Sequence, residues 1–490
     1  MTQGTGRTGV VIGLDLGTTA VKVLALNERG EVVAQTSGGY ALHSGPDGSA
    51  VQDAEEVIGA ALAALEKVAE SLNSAPILAL VPSAAMHSLV LLDAADAVLA
   101  PALTWADGRP AATLPSLRGV LDPAQSYART GCPLQTPYHP ARLWWLRGTQ
   151  PELWRRCARI VSLTDLLLHR LTGQWATSVG LASSTGLWNL HTGTWDTGIL
   201  ETLGISADRL PAVYDAQEEV GTVLAGSCRG VAVLAGSSDG ALANLGVDPA
   251  RRGHSVVTVG TSGAVRRLGQ GPYLEAQART WSYRLDRATH LSGGAINNGG
   301  LLLDWVRRQW YGDLSKPEGF GRLWSDAGQI PAGAGGLTLL PYLTGERSPH
   351  WRSDLSATLH GLQLHHTRAH IARAALEALA FSVKQVWELG QPSARAALSQ
   401  KVYSTGGLAA EPLWNSVLAS ALGVPVQVAE VADASAIGAA LLGHTHPTAL
   451  IWAARAEAVS PIAPDPAQQH ALDTAWQRWQ TLYTRLYEEA

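Results

Sequence analysis

The stretch VVIGLDLGTTAVKVLALNERGEVVAQTS, residues 10–37, decides the fold. Its β-branched and alternating apolar residues are interrupted by turn formers at Gly17-Thr18-Thr19 and at Asn27-Glu28-Arg29-Gly30, which predicts three short strands in a meander. Working outward, Val57, Ala61, Leu65 and Val68 recur at spacings of three and four, so residues 53–72 read as a helix. The apolar run at 77–81 reads as a further strand. Strands alternating with helices point to an α/β architecture. Residues 140–172 carry a Trp- and Leu-rich helical pattern, and 186–215 read as loop-rich.

The pattern then starts again. Residues 231–246 give a strand, a glycine turn and a helix, and SVVTVGTSGAVR at 255–266 reproduces the opening hairpin. Superposing the turns sets Gly17-Thr18-Thr19 on Gly260-Thr261-Ser262, 243 residues apart in a chain of 490. That period is too long for a solenoid. It predicts two related α/β lobes, residues 1–248 and 249–490. In the second, Thr367 caps a helix that runs to 389 and stops at Gly390. A strand-turn-helix over 401–422 is centred on Thr405-Gly406-Gly407, and the last helix, 467–487, carries the stripe Leu472, Trp476, Trp479, Tyr483 and Leu486. That stripe is expected to pack against a neighbouring domain.

Composition narrows the function classes. Hydrophobic residues are 46% and charged residues 16%, a balance that excludes a disordered or fibrous chain. With a formal net charge of -5 and no Lys/Arg block, neither nucleic acid nor an anionic membrane is an expected partner. Cys132, Cys157 and Cys228 are odd in number and outside any C-x-x-C pair, so no disulfide framework or zinc site is expected, and a reducing cytoplasm suits them. The polar start and the lack of a long apolar run argue against a signal peptide or a membrane span.

A turn of Gly, Thr and Thr between strands can aim N–H groups and hydroxyls at one point and so receive phosphate oxygens, although a plain hairpin would look the same. Its repetition with Thr in the same place favours the phosphate reading. Asp15 lies in an apolar strand two residues before Gly17, where a carboxylate needs a cation or several donors. Mg²⁺ held by one carboxylate, waters and substrate phosphates answers that need, and a hydrogen bond to the turn is the structural alternative. The corresponding position in the second copy is Thr258. Lys22 could balance phosphate charge. Asp239 opens a helix after a glycine turn, placed either to accept the proton of an attacking hydroxyl or simply to cap the helix.

Seven ordered segments then become specific: GLDLGTTAVK (13–22), TWADGR (104–109), GSSDGA (236–241), VGTSGA (259–264), PYLTGERSPHW (341–351), GLQLHHTRAHIARAALEALAF (361–381) and STGGLAAEPLW (404–414). Together they resemble the FGGY carbohydrate kinases over nearly the whole chain. The resemblance implies two ribonuclease-H-like, actin-type α/β domains with an ATP and substrate cleft between them. It implies Asp239 as catalytic base beside the substrate and Asp15 as the carboxylate near Mg²⁺. Gly17, Thr18, Thr19, Gly260 and Thr261 would meet the ATP phosphates, and Gly406, Gly407 and Glu411 the adenosine.

Within the family, SAAMHSL (83–89), TWADGR, GTSGA and NNGG (297–300) are most similar to gluconate kinases. Met86, His87 and Trp105, with Asp107, would line the sugar site, although xylulose kinases share the Met-His pair. A sugar carboxylate would be met by Arg109, Arg347 or His87. Where many relatives carry Lys before a Trp-rich helix, this chain has Tyr138-His139-Pro140-Ala141-Arg142. The implied activity is ATP-dependent conversion of D-gluconate to 6-phospho-D-gluconate by a cytoplasmic enzyme, in which a homodimer is allowed. The alternatives are a kinase of xylulose, another ketopentose or a polyol, a non-catalytic sugar-sensing ATP-binding protein, or an actin-like ATPase.

Overall fold

The computed structural model describes residues 9–73, 75–248, 253–391, 401–444, 448, 452 and 460–488. They form two compact units whose segments interleave along the chain. Unit 1 is Met1–Arg252 with Leu268–Ser292 and Ala432–Arg455, and unit 2 is Gly253–Arg267, Gly293–Val431 and Ala456–Ala490.

In unit 1 the quoted stretch forms the expected meander, Val10–Leu16, Ala20–Asn27 and Val32–Gly39, paired antiparallel. The strand Ile77–Ala84 runs parallel to the first, and Ala232–Leu234 and Ser237–Ser238 pair with its other edge. The helix Ala54–Ser71 is capped by Asp53, whose side chain accepts from the N–H groups of Glu55 and Glu56. Its buried Val57, Ala61, Leu65 and Val68 are the predicted face, packed over Ile12, Leu14 and Val23 of the sheet.

Two stretches gain detail beyond the expectation. The helical pattern of residues 140–172 is divided among His139–Thr149, Pro151–Arg156 and Leu163–Thr172, with a short strand Arg159–Val161 between the last two. Pro151 opens the second helix, and a Ser162–Asp165 capping box opens the last. The loop-rich 186–215 contains the helix Thr197–Leu203, capped by Asp196 and closed at left-handed Gly204.

Unit 2 repeats the hairpin and its parallel neighbour. Ser255–Val259 pairs antiparallel with Gly263–Gly269 and parallel with Val402–Thr405, which in turn pairs with Val426–Val428. The helix Arg368–Leu389 has Thr367 at its N-terminus and Gly390 at its C-terminus, as expected. The final helix, Pro466–Tyr487, corrects the reading of its stripe. Leu472, Trp476, Trp479 and Tyr483 are buried inside unit 2 itself, with Trp479 Nε1 donating to the Leu339 carbonyl at 3.0 Å, while Leu486 is left exposed.

Candidate active site

Parallel strands gather functional groups at their carboxyl ends. At that end of Ile77–Ala84, Ser83 stands opposite Asp15 on one side and Ser237 on the other. The Ser83 hydroxyl donates to Asp15 Oδ1 at 2.6 Å. Asp239 follows directly as the first residue of the helix Asp239–Val247, whose cap position is Ser238, so Asp239 is not itself the N-cap. Its Oδ1 accepts from the Gly240 N–H at 2.6 Å, and Ser435 Oγ donates to its backbone carbonyl at 3.3 Å. Burial first, and the Asp239 charge second, push the Asp15 carboxyl up to about 6, against the Ser83 bond and Lys22. Lys22 is engaged by Asp433 at 2.7 Å. Among the described residues no group of three or more His, Cys, Asp or Glu side chains forms a metal cage.

The Gly17-Thr18-Thr19 turn is held from several sides. Gly17 N–H donates to the Ala20 carbonyl at 3.0 Å, and the Tyr40 hydroxyl donates to the Gly17 carbonyl at 2.7 Å. Gln52 Nε2 donates to the Thr18 carbonyl at 2.8 Å, and the Trp105 indole N–H reaches Thr18 Oγ1 at 3.3 Å. That last bond joins the proposed phosphate turn to the proposed sugar loop. Replacing Tyr40 by Phe is expected to cost about 1 kcal/mol of stability, read by urea unfolding, because it strands the Gly17 carbonyl.

Gly17, Thr18, Gln52, Met86, Thr104 and Trp105 line one pocket. His87 is parted from Met86: at φ 69° it lines a second pocket, with His139 and Asp165, and its ring lies edge-on to Tyr138 at 5.0 Å. The Tyr138 hydroxyl in turn meets that of Tyr283 at 2.6 Å. Asp107 is buried and clasps Arg109, one of the arginines considered for a substrate carboxylate, at 2.6 Å through Nη2 and also through Nε. Arg142 is wholly buried beneath these loops. The sequence flagged it only as a replacement for Lys, and Tyr283 carried no signal.

In unit 2 the register Thr258↔Thr405 sets the turns Gly260-Thr261 and Gly406-Gly407 at the same strand ends. Gly406 has φ 86°, and a Cβ there would stand 2.7 Å from the Val259 carbonyl oxygen, so only glycine allows this approach. The Gly260 and Thr261 carbonyls accept from the N–H groups of Gly300 and Leu301 at 2.7 and 3.0 Å, which seats the turn on the start of the helix Gly300–Trp310. Glu411 caps Pro412–Leu422, and burial raises its carboxyl. Arg347, the other arginine considered for a substrate carboxylate, bonds Asn297 Oδ1 at 2.7 Å and the Ile296 carbonyl at 3.1 Å.

Glu346 is buried next to it, accepting from the N–H groups of Asn297 and Arg347. Burial outweighs those bonds and lifts its carboxyl from 4.5 to about 7. The native state therefore keeps this proton longer than the unfolded chain, and the stability it contributes is full below 4.5 and lost as pH rises through 7. Glu346→Gln is expected to remove up to about 3 kcal/mol of that decline in urea titrations across the range.

Residues 10–246 match the N-terminal domain, and residues 255–445 the C-terminal domain, of the FGGY family of carbohydrate kinases. The chain is 30% identical over 450 residues to a gluconokinase of Bacillus licheniformis, covering 89% of this chain and 87% of that one. It is also 30% identical over 453 residues to a xylulose kinase of Bacillus subtilis, covering 88% and 87%. The crystal structure of a ligand-bound xylulose kinase from Lactobacillus acidophilus superposes with a TM-score of 0.90 at 26% identity, over 97% of this chain and 98% of that one. Among the described residues no helix is long and apolar enough to cross a membrane. The chain belongs to the FGGY family of carbohydrate kinases, with its two-domain actin-like fold, and is a sugar kinase that takes its phosphate from ATP.

Proposed function

We propose that the acceptor is D-gluconate, phosphorylated at its 6-hydroxyl to give 6-phospho-D-gluconate, with Asp239 as the general base. The observation that carries the chemistry is the convergence of Asp15 and Asp239 around Ser83, beside a pocket lined by Thr18, Met86 and Trp105. Asp239 takes the proton of the acceptor hydroxyl as its oxygen attacks the γ-phosphorus, and ADP leaves with the bridging oxygen. Thr18 and Thr19 in unit 1, and Gly260 and Thr261 in unit 2, receive phosphate oxygens. Gly406 and Gly407 meet the adenosine with their backbone, beside Glu411.

The donor set fits Mg²⁺. One carboxylate at Asp15, raised by burial and then by Asp239, with no cage of further acidic, His or Cys ligands among the described residues, suits an ion shared with phosphates and water. When bound, the ion neutralises the charge that develops on the phosphates. Gluconate is favoured by the SAAMHSL, TWADGR and NNGG segments together with the likeness to gluconokinases. Xylulose is the second reading, because xylulose kinases match at the same identity. ADP release with Mg-ATP over gluconate, xylulose, ribulose and glycerol separates them. A specificity constant for gluconate at least about tenfold above the others is expected, and a preference for xylulose would overturn the assignment.

A further inference from the structure

Beside the backbone bridge between Leu89 and Leu103, one side chain ties together the loops around the acceptor pocket. Arg142 donates from Nη1 to the His87 carbonyl, from Nη2 to the Thr104 carbonyl, and from Nε to the Thr136 carbonyl at 3.3 Å. It is wholly buried, and the carboxylate whose charge reaches it, Asp107, is itself bonded to Arg109. A buried cation in that position is costly unless its donors are satisfied, so carbonyls from three separate segments are needed where a carboxylate would ordinarily stand. Its root is stiff: the helix His139–Thr149 carries Pro140 in its first turn and buries Ala141, Leu143 and Trp145.

What it holds is strained. His87 sits at φ 69°, a left-handed backbone that a residue with a side chain keeps only when its surroundings enforce it. The Arg142 bond to the His87 carbonyl fixes the peptide that leaves this turn. The bond to the Thr104 carbonyl fixes the peptide entering Trp105, whose indole reaches Thr18.

We propose that Arg142 is a positioning residue for the acceptor. Where the Leu89–Leu103 bridge ends, its planar fork sets how the turn that carries Met86 and His87 faces the loop that carries Trp105, and thereby the shape of the pocket between them. A lysine has three donors, but they share one rotatable nitrogen on a flexible stem and cannot hold carbonyls apart as a planar fork does. The inference rests on reading the Met86 and Trp105 pocket as the acceptor site, so the test includes a variant of that pocket.

The experiment is steady-state kinetics, with the best acceptor and ATP varied in turn, on Arg142→Lys, Arg142→Met and Trp105→Ala. Arg142→Met is expected to raise the acceptor KM about tenfold or more, and Arg142→Lys about threefold, while the KM for ATP stays within about twofold. A merely structural role would lower kcat or move both KM values together, and either result overturns the proposal. Should Arg142→Met fail to fold, Arg142→Lys decides alone: an acceptor KM equal to that of the native enzyme overturns it. Trp105→Ala separates the two readings. If it leaves the acceptor KM unmoved, the pocket assignment fails and takes this inference with it. If it raises that KM while Arg142→Lys does not, only the role of Arg142 falls.

Discussion

Asp239→Asn is expected to lower kcat about a thousandfold or more while ATP still binds. The substitution is nearly isosteric, and the amide oxygen can still accept from the Gly240 N–H, so the start of the helix Asp239–Val247 is kept. What is lost is a group able to take a proton. The change also removes a negative charge that helps hold the Asp15 carboxyl up near 6, so Asp15 should ionise more readily and the variant should bind the nucleotide no more weakly. ADP release measures the first effect, and nucleotide-induced thermal stabilisation the second. A kcat within about tenfold of the native value would sink the base assignment. Loss of stabilisation by ATP together with activity would instead make Asp239 a nucleotide-holding group.

The opening meander and its second copy were legible because turn residues and strand periodicity agree locally, and the spacing of Gly17 and Gly260 exposes the duplication. The convergence of the acids was legible only through family resemblance. Asp15 meets Ser83 through a parallel register between strands 68 residues apart, which no local pattern encodes. The same limit hid Tyr283, which meets Tyr138 across 145 residues. Residues 140–172 read as helical, but their apolar periodicity continues through Pro151 and the Ser162 cap and so hides where the backbone breaks. The pairing of Asp107 with Arg109 could have been anticipated: opposite charges two apart in a tight turn find each other before they find a ligand. Arg142 is the reverse case. A change from Lys to Arg looks conservative by charge, and only the three carbonyls around it reveal that its geometry is in use.

Gly438→Ala is expected to be among the most damaging single-methyl additions to the chain. The helix Ala434–Gly443 lies in backbone contact with its neighbours in unit 1. A Cβ on Gly438 would stand 1.8 Å from the Leu242 carbonyl oxygen, one on Gly246 2.3 Å from that of Ala434, and one on Gly13 2.0 Å from that of Ala436. These obstacles are main chain and cannot swing aside, so the helices must separate at a cost of about 3 kcal/mol or more. The comparison is Gly59→Ala in the helix Ala54–Ser71, where a Cβ meets nothing within 4 Å. There the same change should stabilise by about 1 kcal/mol through helix propensity. Opposite signs for one chemical substitution isolate packing from propensity in urea unfolding. The seam also sets the chemistry, since Asp15 and Asp239 are borne by the strand and helix that the Ala434–Gly443 helix touches. A displacement near 1 Å can cost about a hundredfold in rate. The folded fraction of Gly438→Ala should therefore turn over far more slowly than native enzyme, and normal kcat in that fraction would show that the acids are held by something other than this glycine seam.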